Sequence, residues 1–166
     1  RLDVARLTTS FQPIISLKTA RVIGYEALVR GRAENGAEVP AGRLFETARE
    51  QGCLVELDRA ARELALEEFA GRSVAGTQGM GAGQDDVTGP EPGETEQDET
   101  EAPVLFVNFS SWLIDDERIE PGRIMAACEK AGINPQRVAI ELVESTVTDL
   151  DGLREFAERN RSAGFL

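Results

Sequence analysis

The 166-residue chain contains no histidine, so it can form no Ser-His or Cys-His nucleophile pair and no His-ligated zinc from its own residues. It has two cysteines, Cys53 and Cys128, far apart and each within a helical pattern. They read as buried free thiols in a reducing cytoplasm, and a disulfide framework is not supported. No apolar run approaches the roughly 20 residues that span a membrane. The first ten residues mix charges with apolar side chains, unlike a signal peptide. Basic residues are outnumbered, 18 against 30 acidic, for a net charge of -12. That balance argues against nucleic acid as a partner, because phosphate contacts need Lys and Arg.

What is present suits one domain with a real core: 41% hydrophobic and 29% charged residues. The acid excess is concentrated. Positions 76–103 hold eight of the acidic residues with six Gly and three Pro, and no Lys or Arg. Such a stretch cannot bury enough apolar surface to offset its ordering entropy. Residues 71–103 are therefore expected to form a disordered acidic insert.

Elements can be read on either side of it. Phe11 to Leu17 reads as a strand, with Pro13 pointing to an edge position. A short polar link leads to a second strand, Val22 to Arg30, which Gly31 bounds; so short a link implies an antiparallel pair. A polar loop with an Asn35-Gly36 turn signal follows. Helices are expected from Ala41, stopped by Gly52, and from Leu54 to Ala70, stopped by Gly71. Val104 to Phe109 is a strand, with Ser110 as cap of a short turn over Trp112 to Asp115. A helix from Pro121 to Ala131, a strand from Arg137 to Val143 and a helix from Leu150 to Arg161 complete the order. Gly164 to Leu166 reads as the start of a further strand. Strands separated by helices imply parallel pairing, in a small open sheet or an incomplete barrel.

Three strand-borne polar residues stand out: Glu26, Asn108 and Glu141. An unpaired carboxylate inside an apolar strand costs several kcal/mol or more, so Glu26 calls for a partner, whether a structural base, a cation or a ligand. In parallel α/β architectures ligands gather at the carboxyl ends of strands. A Glu-Asn-Glu set offers oxygen donors of the kind Mg²⁺ or Mn²⁺ accepts. The bland alternative is that Asn108 satisfies backbone groups and the glutamates pair with arginines.

Four motifs occur in order: Gln12-Pro-Ile, Gly24-Tyr-Glu-Ala-Leu-Val-Arg30, Val107-Asn-Phe-Ser110 and Glu141-Leu-Val-Glu144. In that order they resemble the EAL-domain family, bacterial cyclic di-GMP phosphodiesterases named for the triplet seen here as Glu26-Ala27-Leu28. The resemblance implies an α/β fold, a TIM-like (β/α) barrel with an antiparallel first strand. It reads the chain, 1–166, as the N-terminal part of such a domain, ending before the barrel closes. The family's later Asp-Asp pair, lysine, glutamate and glutamine do not occur, and Arg1 in place of Met points to chain upstream. The 166 residues alone are then expected to be inactive and marginally stable.

By the same resemblance, Glu26, Asn108 and Glu141 are metal ligands and Arg30 holds a substrate phosphate. Gln12 lines the substrate pocket, and Glu144 anchors a mobile loop. The usual threonine between the paired glutamates is Val143 here. The implied parent hydrolyses cyclic di-GMP to linear pGpG with two Mg²⁺ or Mn²⁺ ions, in the bacterial cytoplasm, as part of second-messenger signalling. The alternative is a non-catalytic EAL-like cyclic di-GMP receptor or protein-interaction domain. A homodimer is left open.

Overall fold

A computed structural model of the chain describes residues 6–76, 102–114, 121–143 and 150–166. Most of the expected insert, residues 77–101, lies outside them, as do Glu144 and Asp115.

The described residues build one mixed sheet in the order β1-β2-β4-β5, with a short β3 beside β2. Strand β1 (Leu7–Ile15) and strand β2 (Val22–Arg32) form the expected antiparallel hairpin. β1 begins and ends earlier than expected. Leu7 and Thr9 are buried while Thr8 and Ser10 are exposed, and this alternation over mostly hydroxyl residues lacks the apolar run that marks a strand in sequence. Pro13 sits on β1 at the end of the sheet order, where a missing N–H breaks no inner ladder.

β2 does not stop at Gly31 but runs to Arg32. A Cβ on Gly31 would lie 2.7 Å from Leu44 Cδ2, so this glycine seats the next helix against the strand rather than ending it. The Asn35-Gly36 turn forms, with Gly36 at φ 82° and Asn35 Oδ1 accepting from the Ala37 N–H at 3.1 Å. Strand β3 (Glu38–Pro40) follows and pairs antiparallel with β2. Three residues ending in Pro carry no readable period, so sequence reading passed over it.

Helix α1 (Ala41–Glu50) ends at Gly52, φ 67°, as expected. Helix α2 (Leu54–Gly76) passes through Gly71, where a stop was expected. An interior glycine costs a helix only about 1 kcal/mol, which does not force termination. After β4 (Val104–Ser110) come a single 3₁₀ turn at Ser111–Leu113 and helix α3 (Pro121–Ala131). A second 3₁₀ turn, Pro135–Arg137, leads into β5 (Val138–Val143), and α4 (Leu150–Ser162) follows. β2 and β4, and β4 and β5, pair in parallel. Beyond α4 the chain returns to β5: Leu166 N–H donates to Val138 O at 3.0 Å and Leu166 O accepts from Ile140 N–H at 3.3 Å. The sheet is open, not a closed barrel, among the described residues.

One face of the sheet carries the helices. Leu105, Val107 and Phe109 alternate along β4 as fully buried side chains, and the first two join Ala27, Leu66, Phe69, Ile124, Cys128 and Val138 in the largest core cluster. Burying each large aliphatic or aromatic side chain there contributes roughly 1.5–3 kcal/mol. Both cysteines are free; Cys128 is buried and Cys53, expected to be, is half-buried.

A fork in the sheet matters for the site. β4 pairs with β2 only from Gly24–Val104 to Ala27–Val107, while β3 pairs with β2 from Arg30 to Arg32. β1 occupies the other edge of β2 throughout, so β4 and β3 share one edge and β4 leaves it after Val107. The carboxyl ends of β2 and β4 therefore splay apart.

Candidate metal and substrate site

Strand parity puts the sequence-selected residues on the face opposite the helix core. Val107 and Phe109 face the helices, so Asn108 faces away. In register, Asn108 lies beside Glu141, Glu26 beside Phe106 and Gln12 beside Glu26. Arg30 is on the same face of β2, four residues and about 13 Å along the strand from Glu26.

Glu26 and Asn108 meet directly. Asn108 Nδ2 donates to Glu26 Oε1 at 3.0 Å and to the Ala27 carbonyl at 3.4 Å. Both side chains are half-buried, so the carboxylate expected to need a partner has one, and it is neutral. Glu141 is held above the ordinary carboxyl range, first by burial and then by the negative charge of Glu26. Two carboxylates close enough to repel, with an amide between them, form a donor set suited to a hard divalent cation. Among the described residues no group of three or more His, Cys, Asp or Glu side chains is placed to hold a metal. The set is two carboxylates and an amide.

The splayed strand ends open into a cavity of about 530 Å³ lined by Glu26, Leu28, Asn108, Phe45, Arg49 and Trp112 among others. Trp112 is half-exposed, and the Arg49 guanidinium lies 4.5 Å from its ring centroid. Gln12, Arg30 and Glu141 share the sheet face but do not line this cavity. Gln12 is exposed on β1. Arg30 donates through Nη1 to the Val29 carbonyl at 2.9 Å and pairs through Nε with Glu38 Oε1 at 3.6 Å. Glu38 is well exposed, so that pair is weak and its arginine is readily shared with an anion. The expected loop anchor Glu144 lies outside the described residues.

Sequence reading missed Asp58 and Arg62, a buried ion pair one turn apart on α2. Asp58 Oδ1 accepts from the Ser110 N–H at 3.1 Å. Ser110, expected to cap the turn after β4, makes no side-chain cap bond. The signal was available: Leu54, Asp58, Ala65 and Phe69 follow helical spacing, so Asp58 lies within an apolar stripe.

Residues 1–81 match the family model described as the EAL domain. Gln12, Glu26 and Arg30 fall inside that match, and Asn108 and Glu141 beyond it. Among solved structures, the chain is similar to a complex described as PaMucR phosphodiesterase with c-di-GMP: TM-score 0.72, 17% identity, 97% of this chain and 56% of that one. It is also similar to the Xanthomonas citri FimX EAL domain in complex with c-diGMP: TM-score 0.68, 18% identity, 97% of this chain and 53% of that one. A third, the Klebsiella pneumoniae BlrP1 manganese/cy-diGMP complex, gives TM-score 0.67 and 18% identity over 96% of this chain and 33% of that one. The likeness at these identities is one of fold, and the chain spans a third to just over half the length of these structures. No curated protein matches the sequence.

Proposed function

We propose that this chain forms part of a metal-dependent phosphodiesterase that hydrolyses cyclic di-GMP to linear pGpG in bacterial second-messenger signalling. The observation that carries the reading is the Asn108–Glu26 bond between two splayed strands, with Glu141 in register beside Asn108. Glu26, Asn108 and Glu141 would hold one Mg²⁺ or Mn²⁺, and their oxygen donors fit such an ion. When bound, divalent ions in such a site activate water and offset charge on the phosphoryl oxygens. Glu26 and Glu141 bring the negative charge that attracts the ion, and Asn108 fixes the Glu26 carboxylate. Arg30 would turn from Glu38 to a substrate phosphate, a partner its planar guanidinium fits in two-point contact. Gln12 would contact the substrate, and Glu144 would anchor a loop at the carboxyl end of β5.

The 166 residues by themselves are proposed to be inactive, because the proposed ligands would serve one ion and the chain spans 56% of the PaMucR phosphodiesterase chain. The cytoplasm is the proposed site of action, consistent with two free cysteines. The test is to incubate cyclic di-GMP and Mn²⁺ with the 166-residue chain and with a longer protein that completes the domain, and to follow pGpG by chromatography. The longer protein should produce pGpG, its Glu26→Ala variant should not, and the 166-residue chain should leave the substrate intact. Binding without cleavage by the longer protein would favour a receptor, and turnover by the short chain would refute the proposed inactivity.

A further inference from the structure

The carboxyl end of β4 keeps β5 on one edge but has lost β2 on the other. After Val107 it no longer pairs with β2, yet Asn108 must span the fork to reach Glu26. What holds this end on the open side comes from α2. Asp58 accepts the Ser110 N–H with Oδ1 and an Arg62 Nη1–H with Oδ2. The Arg62 guanidinium lies 4.8 Å from the Phe109 ring centroid, and Phe109 packs on Phe156 with centroids 4.6 Å apart. Both residues that follow Asn108 are thus gripped, one through its backbone and one through its ring.

The grip is built from costly parts. The Asp58 side chain is fully buried and that of Arg62 is 7% exposed. Burial raises the Asp58 carboxyl above its usual range although Arg62 and the Ser110 N–H pull it down. A buried ion pair is weak evidence for stability, since apolar residues of similar size often serve as well. Its position at the fork gives it another use.

We propose that Asp58, its charge balanced by Arg62, is a positioning residue that stands in for β2 on that edge, fixing the end of β4 so that the Asn108 amide is held on Glu26 and presented to the bound cation. The second half of this statement rests on the metal reading above; the first half does not. Groups that orient metal ligands typically change metal affinity by 10–100-fold when lost.

The test uses two double variants of the full chain, each removing both charges so that neither is stranded. Asp58→Leu with Arg62→Met removes the acceptor for the Ser110 N–H. Asp58→Asn with Arg62→Met keeps one. The Asn108 side-chain amide resonances, read by NMR without metal, report the bond to Glu26, and calorimetric titration with Mn²⁺ alone reports the cation. The Leu/Met variant should move the Asn108 resonances toward solvent values and weaken Mn²⁺ binding about tenfold or more. The Asn/Met variant should keep both near wild type. Wild-type resonances in the Leu/Met variant, or an Asn/Met variant no better than it, would overturn the proposal. If the Leu/Met variant does not fold, the Asn/Met variant decides: displaced Asn108 resonances there overturn it. Absence of Mn²⁺ binding in the wild type, with the resonances responding as expected, would instead sink the metal reading and leave the positioning role standing.

Discussion

Asn108 Nδ2 lies 3.0 Å from Glu26 Oε1, joining two residues 82 positions apart across strands that have begun to separate. The bond sets one carboxylate oxygen of Glu26, and the same amide faces the neighbouring strand's Glu141 in register. The amide's bond to Glu26 leaves the two carboxylates mutually repulsive, a charge state that a cation relieves.

Replacing the bridge should separate binding from folding. Asn108→Ala is expected to weaken Mn²⁺ binding about tenfold or more. The accompanying stability loss should stay near 1 kcal/mol, the size of one hydrogen bond. Calorimetric titration and urea melts of the same samples measure the two. Unchanged Mn²⁺ affinity would remove Asn108 from the ligand set.

Glu141 makes the stability of the metal-free chain depend on pH. Its folded-state pKa is raised by burial and by Glu26, so the folded state binds more protons than the unfolded one. That contribution is fully present below the ordinary glutamate range and is lost as pH rises through the raised folded value. The group is largely solvated, which keeps the effect small. Urea midpoints across mildly acidic to neutral pH should fall less for Glu141→Gln than for the wild type. Mn²⁺ should reduce the difference. Identical slopes without metal would contradict the assigned repulsion.

Gly24 permits the close approach of β2 and β4. A Cβ there would lie 2.6 Å from the Val104 carbonyl oxygen and 2.6 Å from the Phe106 ring. The backbone oxygen cannot swing aside, so Gly24→Ala should cost about 1–3 kcal/mol, as overpacking does. Thermal and urea unfolding measure it; a neutral substitution would show that the strands can part without penalty.

Phe109 ties β4 to α4 through Phe156 and is fully buried. Phe109→Ala should destabilise by about 3–5 kcal/mol. Ile or Leu at the same position should recover part of that, which a denaturant series on the three variants would resolve.

The two thiols should differ in reactivity. Cys128 is buried and its thiol is pushed up to about 11, mainly by burial. Cys53 is half-buried. Thiol labelling of the native chain at mildly alkaline pH should modify Cys53 first and Cys128 only on unfolding. Equal rates would contradict the packing around Cys128.

Much of the element order was legible because its periods are strong. The Val22–Arg30 and Val104–Phe109 runs, the Gly52 stop and the short β1–β2 link all point to the arrangement observed. The failures have local causes. β3 is too short for a period, β1 opens with one leucine and then three hydroxyl residues, Thr8 to Ser10, and Gly71 is tolerated inside α2. An acid four residues before an arginine on a helix has the spacing of an exposed ion pair. Only the packing of α2 against the fork turns that pair inward.

The sequence by itself determined that Glu26, Asn108 and Glu141 each lie on a strand, and that alternation within a strand puts Glu26 and Arg30 on one face of β2. It also determined that the available donors are oxygens, because there is no histidine and the two cysteines lie elsewhere. The tertiary structure decided what those residues touch. Register places Asn108 against Glu141, the splay of β2 from β4 opens the cavity, and Asp58 meets Ser110 across 52 residues. Such contacts depend on where separate elements come to rest, which the packing of the whole core fixes and no local pattern encodes.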